Sequence, residues 1–329
     1  MKRRSFIRNT SVFAGSLAAA KLFSPSSAQA QDLKELNFGI ISTESQANQK
    51  PIWEPFIAAM SEQIGIPVKA FYATQYAGVI EAMRFGQVHL AWFGGKSYIE
   101  ANKIASAEVF AQTVADDGSK GYFSHLIMNK DHPDLAKAKE MGGDKYVLEN
   151  ASQLQFAFND PNSTSGFLVP SYYVFAQNGV NPKEAFKRLI FAGNHEATAL
   201  AIANNQVDVA TNNNESLSRL EKTNVSARDN IETIWTSTLI PSDPIAWRSD
   251  LSEDLKTNLK DFFYNYSDET VLAPLEWSGF IPAEDATWNP IRELNIGKEI
   301  LETQSNDNLS QTEKDKKIAE LNQQLEAIK

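Results

Sequence analysis

Along residues 36–264, short apolar runs alternate with stretches whose apolar positions recur three and four residues apart. That alternation predicts α/β units, with strands from the runs and helices from the 3.6-residue period. Runs at 36–41, 68–72, 89–93 and 109–114 predict four strands of one open sheet, separated by helices over 53–64, 76–85 and 96–104. In the first of these helices Phe56, Met60 and Ile64 share a face, and Pro51 suits its first turn. A second set of strands is predicted at 122–128, 156–158, 189–191, 207–210 and 231–235, with helices over 166–178, 182–186 and 196–205. The polar, charged segment 129–150 reads as surface. A strand over 239–247 and a helix over 251–264 then return the chain to the first set.

The fold class this predicts is α/β with two lobes, a clamshell whose ligand sits in the cleft at the strand ends. Residues 31–115 and 237–305 form the first lobe, residues 116–236 are inserted as the second, and 306–329 form a tail. In that tail Ile318, Leu321, Leu325 and Ile328 make a narrow apolar seam on a charged helix. Either the seam folds back on its own lobe or it pairs two chains as a homodimer.

Residues 1–30 change the picture of where this fold works. A basic start with Arg3-Arg4 and Phe6-Ile7, an apolar run over 12–20 and a small-residue site ending at Ala30 predict a cleaved export signal of the twin-arginine type. The apolar run is too short for a membrane span, which needs roughly 20 residues. The chain has no cysteine, so an exported product has neither a disulfide nor a lipidated N-terminal Cys, and the periplasm is the simplest destination. Cleavage removes Lys2, Arg3, Arg4, Arg8 and Lys21 and no acid, five positive charges that move the formal charge from −10 to −15. Such a balance argues against nucleic acid and anionic membrane as partners. It does not exclude a small anion held by local N–H dipoles.

The stretch 159–170, Asn-Asp-Pro-Asn-Ser-Thr-Ser-Gly-Phe-Leu-Val-Pro, offers such a place. It joins a predicted strand to a predicted helix, so Ser163, Thr164 and Ser165 surround a helix N-terminus with outward N–H groups. A helix start of this kind binds a phosphate-like anion without Lys or Arg. By itself the stretch also reads as an ordinary N-cap and turn. Pro170 follows so closely that the helix must tolerate its missing N–H or bend there.

Further motifs decide between these readings. Residues 37–45, Tyr76-Ala77-Gly78, residues 117–122, residues 159–170, residues 208–213 and Pro241-Ser242-Asp243-Pro244 together resemble, in order, the phosphonate-binding proteins of ABC importers. The resemblance runs through essentially the whole mature chain. It implies a periplasmic protein of the two-lobed type II binding fold, without a cofactor or metal, that delivers its ligand to a membrane permease. It further implies that Ser163, Thr164 and Ser165 hold the phosphonate oxygens, with donors from Tyr76, Tyr122 and His195. Bound to a phosphonate, His195 is expected to act as a donor, and partial protonation near neutral pH would couple affinity to pH. Glu215 and Asp243 are implied to engage the ammonium of an aminoalkylphosphonate such as 2-aminoethylphosphonate. The family often carries a hydroxyl on the second ring of the aromatic pair at Trp92-Phe93, and Phe93 has none.

Each of these residues also has an ordinary reading: packing tyrosines, a capping His195, a solvated first-turn Glu215 and a turn-forming Asp243. The alternative ligands are methylphosphonate, phosphite and phosphate. The alternative activity is a periplasmic phosphoryl hydrolase with Ser163 or Ser165 as nucleophile and His195 as base. It lacks support, because the four His show no metal-ligand spacing and no Gly-x-Ser-x-Gly elbow occurs. The sequence is therefore read as that of a binding protein and not an enzyme.

Overall fold

A computed structural model describes residues 33–329, so the predicted export signal lies outside the described residues. Thirteen strands form among them: β1 (Leu36–Ile40), β2 (Val68–Tyr72), β3 (Leu90–Trp92), β4 (Ala107–Ala115), β5 (Gly121–Tyr122), β6 (Ser124–Asn129), β7 (Gln155–Phe158), β8 (Arg188–Phe191), β9 (Val209–Asn213), β10 (Ile231–Thr236), β11 (Ile240–Pro241), β12 (Pro244–Arg248) and β13 (Trp277–Pro282). They make two sheets, ordered β13-β4-β12-β3-β1-β2 and β10-β6-β9-β7-β8, and a small β11-β5 pair. Strands β1, β2 and β3 run parallel, whereas β12 joins β3 and β4 antiparallel, so the first sheet is completed by chain that returns after the second.

Each sheet is covered on its faces, and the apolar runs explain why. In β1, Leu36, Phe38 and Ile40 are all buried, and in β3 so are Leu90, Ala91 and Trp92. The helix Gln46–Ile64 lays Trp53, Phe56, Ile57 and Met60 against them. Rings of Trp53, Trp92 and Trp277 meet at centroid separations of 5.2 to 5.9 Å, which ties that helix to β3 inside the sheet and to β13 at its edge. A second aromatic core in the other lobe stacks Phe156 on Phe186 at 4.5 Å and sets Phe175 edge-on to both.

Several elements differ from the sequence reading. The first helix starts at Gln46 and carries Pro51 and Pro55 inside it, both exposed, because burial of Trp53, Phe56 and Met60 outweighs two lost helix hydrogen bonds. Segment 129–150 is not simply surface: the helices Leu135–Met141 and Gly143–Asn150 bury Ala138, Tyr146 and Val147 beneath their charged faces. The single strand expected over 239–247 is split into β11 and β12 at Ser242-Asp243, which turns Asp243 inward. Strand β13 and the helix Asn289–Gln304 had no counterpart in the sequence reading.

The tail forms the helix Gln311–Ala327, opened by Ser310 and Glu313 in a capping box. It packs on the chain's own helix Asn289–Gln304, with Leu321 buried and Asn289 Nδ2 donating to the Ile328 carbonyl at 2.7 Å. Within the single chain the seam is folded back onto this helix.

Candidate functional site

The π-helical turn Thr164–Leu168 follows β7 and is positioned by its own residues. Ser163 Oγ accepts from the Gly166 N–H at 3.0 Å, and the Leu168 N–H reaches back to the Ser163 carbonyl at 3.1 Å. A second π turn, Ser171–Phe175, follows Pro170. These wide turns resolve the conflict posed by that proline. In an α-turn the missing Pro170 N–H would strand the Gly166 carbonyl, but here that carbonyl accepts from Thr211 Oγ1 at 2.7 Å and from Asn159 N at 3.1 Å. Gly166 itself is required, since a Cβ there would lie 2.4 Å from the Asn159 Cβ.

Around this turn all eight sequence-predicted residues come together. Ser163, Thr164, Ser165, Tyr76, Tyr122, His195, Glu215 and Asp243 line a single pocket, with Thr43, Trp92, Gly94, Asn213 and Arg219 among its other walls. Ser163, Thr164, Ser165 and His195 come from the second sheet's lobe, Tyr76 and Asp243 from the first, and Tyr122 from the small β5-β11 pair between them. Phe93 is fully buried in the first lobe's core and does not line the pocket.

The hydroxyl side is dense in donors. Thr164 Oγ1 accepts from the Lys96 N–H at 2.9 Å, a contact between lobes, and Ser165 Oγ accepts from Asn213 Nδ2 at 3.1 Å. Asn213 Oδ1 is engaged by the Ser216 N–H as an N-cap, which turns Nδ2 inward, toward His195 Nε2 at 3.3 Å. Ser163 Oγ and Ser165 Oγ each stand 3.5 Å from the same ring nitrogen. Burial, helped by the charge of Arg219, pushes the His195 pKa down to about 3. In the ligand-free pocket the imidazole is thus held neutral and donates from one nitrogen only. Burial likewise pushes the hydroxyls of Tyr76 and Tyr122 well above their usual range, leaving both as neutral donors.

The opposite side is acidic. Asp243 is buried, and Oδ1 has no partner at hydrogen-bond geometry. Its pKa is raised well above the usual range, first by burial and then by the charge of Glu215. Glu215, in the first turn of the helix Asn214–Thr223, is also pushed upward by burial, against the pull of Arg219. Arg219 cannot neutralise the pair outright, because its Nε donates to Glu44 Oε1 at 2.9 Å and its Nη1 lies 3.5 Å from Glu276 Oε2. The pocket thus joins neutral donors suited to a tetrahedral anion with a pair of carboxylates short of positive charge.

Sequence reading missed Asn213 and Arg219. Asn213 entered that reading only as the last residue of the motif 208–213, and Arg219 did not enter it.

Comparison with known proteins agrees with the geometry. The profile of the family described as "ABC transporter, phosphonate, periplasmic substrate-binding protein" matches residues 38–288. The phosphonates-binding periplasmic protein of Escherichia coli K12 is 46% identical over 320 residues, 96% of this chain and 92% of that one. The crystal structure of a binding protein component of an ABC phosphonate transporter from Pseudomonas aeruginosa is 47% identical, covers 90% of this chain and 97% of its own, and superposes with a TM-score of 0.85. PhnD1 of Prochlorococcus marinus, solved with methylphosphonate, is 26% identical, covers 80% of this chain and 97% of its own, and has a TM-score of 0.70. The architecture is the two-lobed type II fold of these neighbours. The chain therefore belongs to the periplasmic substrate-binding proteins of phosphonate ABC transporters, which bind a solute and do not transform it.

Proposed function

We propose that the chain captures aminoalkylphosphonates, with 2-aminoethylphosphonate as its preferred ligand, and presents them to the importer's membrane permease. In this reading Ser163, Thr164 and Ser165, with Tyr76, Tyr122 and His195, grip the phosphonate oxygens. Glu215 and Asp243 receive the ammonium. The observation that carries the reading is the acidic pair: two carboxylates whose pKa values are raised face one pocket, and the nearest guanidinium is committed to Glu44 and Glu276. An ammonium between them supplies the missing charge and a charge-assisted contact.

Calorimetry with 2-aminoethylphosphonate, methylphosphonate, phosphite and phosphate tests it. The amino ligand binds tightest; equal or tighter binding of methylphosphonate overturns the ammonium assignment. A second reading, a site for methylphosphonate, phosphite or phosphate with the acids only hydrated, draws support from the methylphosphonate complex of the Prochlorococcus marinus relative.

Export through the twin-arginine-like signal, cleaved after Ala30, fits the family's compartment; the N-terminal sequence of protein recovered from the periplasm tests that site. Residues 31–115 and 237–305 act as one lobe and 116–236 as the other, closing about segments 113–117 and 236–239. Small-angle scattering that finds no compaction on ligand addition overturns this closure. The folded-back tail favours a single-chain working unit. Partial exposure of Ile318, Leu325 and Ile328 favours, as a second reading, a homodimer through the same helix.

A further inference from the structure

Beside the pocket, the two lobes are joined by a second set of polar contacts, among whose side chains only that of Arg219 also borders the pocket. The start of the helix Gln46–Ile64, in the first lobe, has no cap from its own N-cap residue, Ser45. Its cap comes from the other lobe instead: Glu196 Oε2 accepts from the Ser45 N–H at 2.7 Å and Oε1 accepts from Asn48 Nδ2 at 2.8 Å. A carboxylate there also faces the positive end of a 19-residue helix. The neighbouring His195 N–H donates to the Thr43 carbonyl at 3.0 Å, so the segment that lines the pocket with His195 is itself seated on the first lobe.

One helix further on, Arg219 reaches from the second lobe to Glu44 Oε1 at 2.9 Å and to Glu276 Oε2 at 3.5 Å. Ser218 Oγ and Lys222 Nζ donate to Glu276 Oε1 at 2.7 and 2.8 Å. The side chains of Arg219, Glu44 and Glu276 are 14%, 10% and 9% exposed, so water screens these contacts far less than it would a surface pair. Glu44, Asn48, Glu196 and Arg219 border one small interlobe cavity, which makes the contacts a continuous seam beside the pocket. When the lobes part, every one of these groups returns to water and the helix start loses its cap.

We propose that Glu196 and Arg219 are positioning residues that latch the lobes over the ligand, so that part of the affinity for every phosphonate comes from contacts the ligand does not make. The proposal rests on the reading that ligand binds between the lobes, but it is indifferent to what is attached to the head group. It separates two jobs within one stretch of chain: His195 faces the anion while Glu196, next to it, docks the lobe. It also assigns Arg219 a function apart from Glu215, four residues earlier on the same helix.

The test compares wild type with Glu196→Ala, Arg219→Met and Glu44→Gln. Calorimetry with 2-aminoethylphosphonate and with methylphosphonate should show both ligands weakened by a similar factor, on the order of tenfold for each variant, with thermal midpoints of the ligand-free proteins falling by less than the loss of binding. Arg219→Met combined with Glu44→Gln should cost no more than the larger single change, because both remove one contact. Arg219→Lys should restore part of the affinity. Since the chain has no cysteine, Glu62→Cys and Glu184→Cys provide the only thiols for a pair of spin labels, one on each lobe. Interlobe distances should lengthen in the latch variants, with and without ligand. Loss of affinity for the amino ligand alone overturns the latch and shows that Arg219 acts through Glu215. Unchanged affinities with superimposable distances also overturn it, as does a fall in the ligand-free midpoint that matches the loss of binding. If wild type binds neither phosphonate, the functional reading fails by itself, and the latch is then judged on the ligand-free distances alone.

Discussion

The charge of Glu215 pushes the buried carboxyl of Asp243 upward, although one residue opens a helix of the second lobe and the other sits at the break between β11 and β12. Burial is the larger cause for both, so each acid holds its proton to higher pH in the ligand-free pocket than it would in water. An ammonium between them favours the ionised forms. The affinity for 2-aminoethylphosphonate should therefore fall as pH drops below about 7, the value to which Glu215 is raised. Because the phosphonate titrates as well, the quantity to measure is the ratio of its affinity to that of methylphosphonate, by calorimetry between pH 8 and about 5. A ratio independent of pH contradicts an ionised acidic pair as the ammonium's partner.

Removing one acid should separate selectivity from grip. Glu215→Ala deletes a charge-assisted contact worth about 1.5–3 kcal/mol, so the amino ligand should weaken about tenfold or more while methylphosphonate holds or improves. Ser165→Ala, on the hydroxyl side, should weaken both ligands alike. Competition of the two ligands on each variant reads the contrast directly.

His195 gives a stability prediction of opposite sign to that of the acids. Its pKa in the folded chain is about 3, against 6.5 for the free side chain, so the unfolded chain binds a proton there that the folded chain refuses. The resulting contribution to stability is fully present above about 6.5 and is lost as pH falls toward about 3. In thermal scans across that window, His195→Gln should lose less stability than wild type. Parallel curves for the two proteins mean that the ring is not held neutral.

How much of this was legible in the sequence depends on how local each signal is. The Ser163-Thr164-Ser165 turn was legible because strand, turn residues and helix start are contiguous. The way Pro170 is tolerated was not, because the group that rescues the Gly166 carbonyl is Thr211, on another strand. Segment 129–150 looked like surface because its charges outnumber its apolar residues, yet Ala138, Tyr146 and Val147 are enough to seat two short helices. Strand β13 was hidden by weak alternation and by Gly279, at a register shift against β4. Arg219 carried no signal in the sequence, since its acids Glu44 and Glu276 are 175 and 57 residues away. Pairings that span the two lobes leave no spacing in the sequence to read.

Gly94 marks another such pairing. Its backbone is ordinary for any residue, with φ −80° and ψ 163°, so an added methyl costs nothing locally. A Cβ there would stand 3.2 Å from Thr164 Oγ1, across the cleft from the first lobe. Gly94→Ala should therefore leave the ligand-free midpoint in place and weaken binding of every ligand several-fold, because only the closed arrangement feels the contact. Scanning calorimetry and titration together check it; a lowered midpoint with normal affinity places the strain inside the first lobe.

The tail supplies the last prediction. Leu321 is 5% exposed, and burial of a leucine side chain is worth about 1.5–3 kcal/mol. Ending the chain at Ser310 removes that contact, bares the helix Asn289–Gln304 and deletes the bond from Asn289 to the Ile328 carbonyl. For a protein of about 300 residues each kcal/mol corresponds to less than about 2 °C, so the midpoint should drop by a few degrees. The pocket lies on other elements, and affinity for phosphonates should not change. Sedimentation distinguishes what the seam is for. If its purpose is to cover the chain's own helix, full-length and shortened proteins sediment as the same species at every concentration. If it joins two chains, the full-length protein sediments as a dimer that the truncation splits, and the loss of stability becomes dependent on protein concentration.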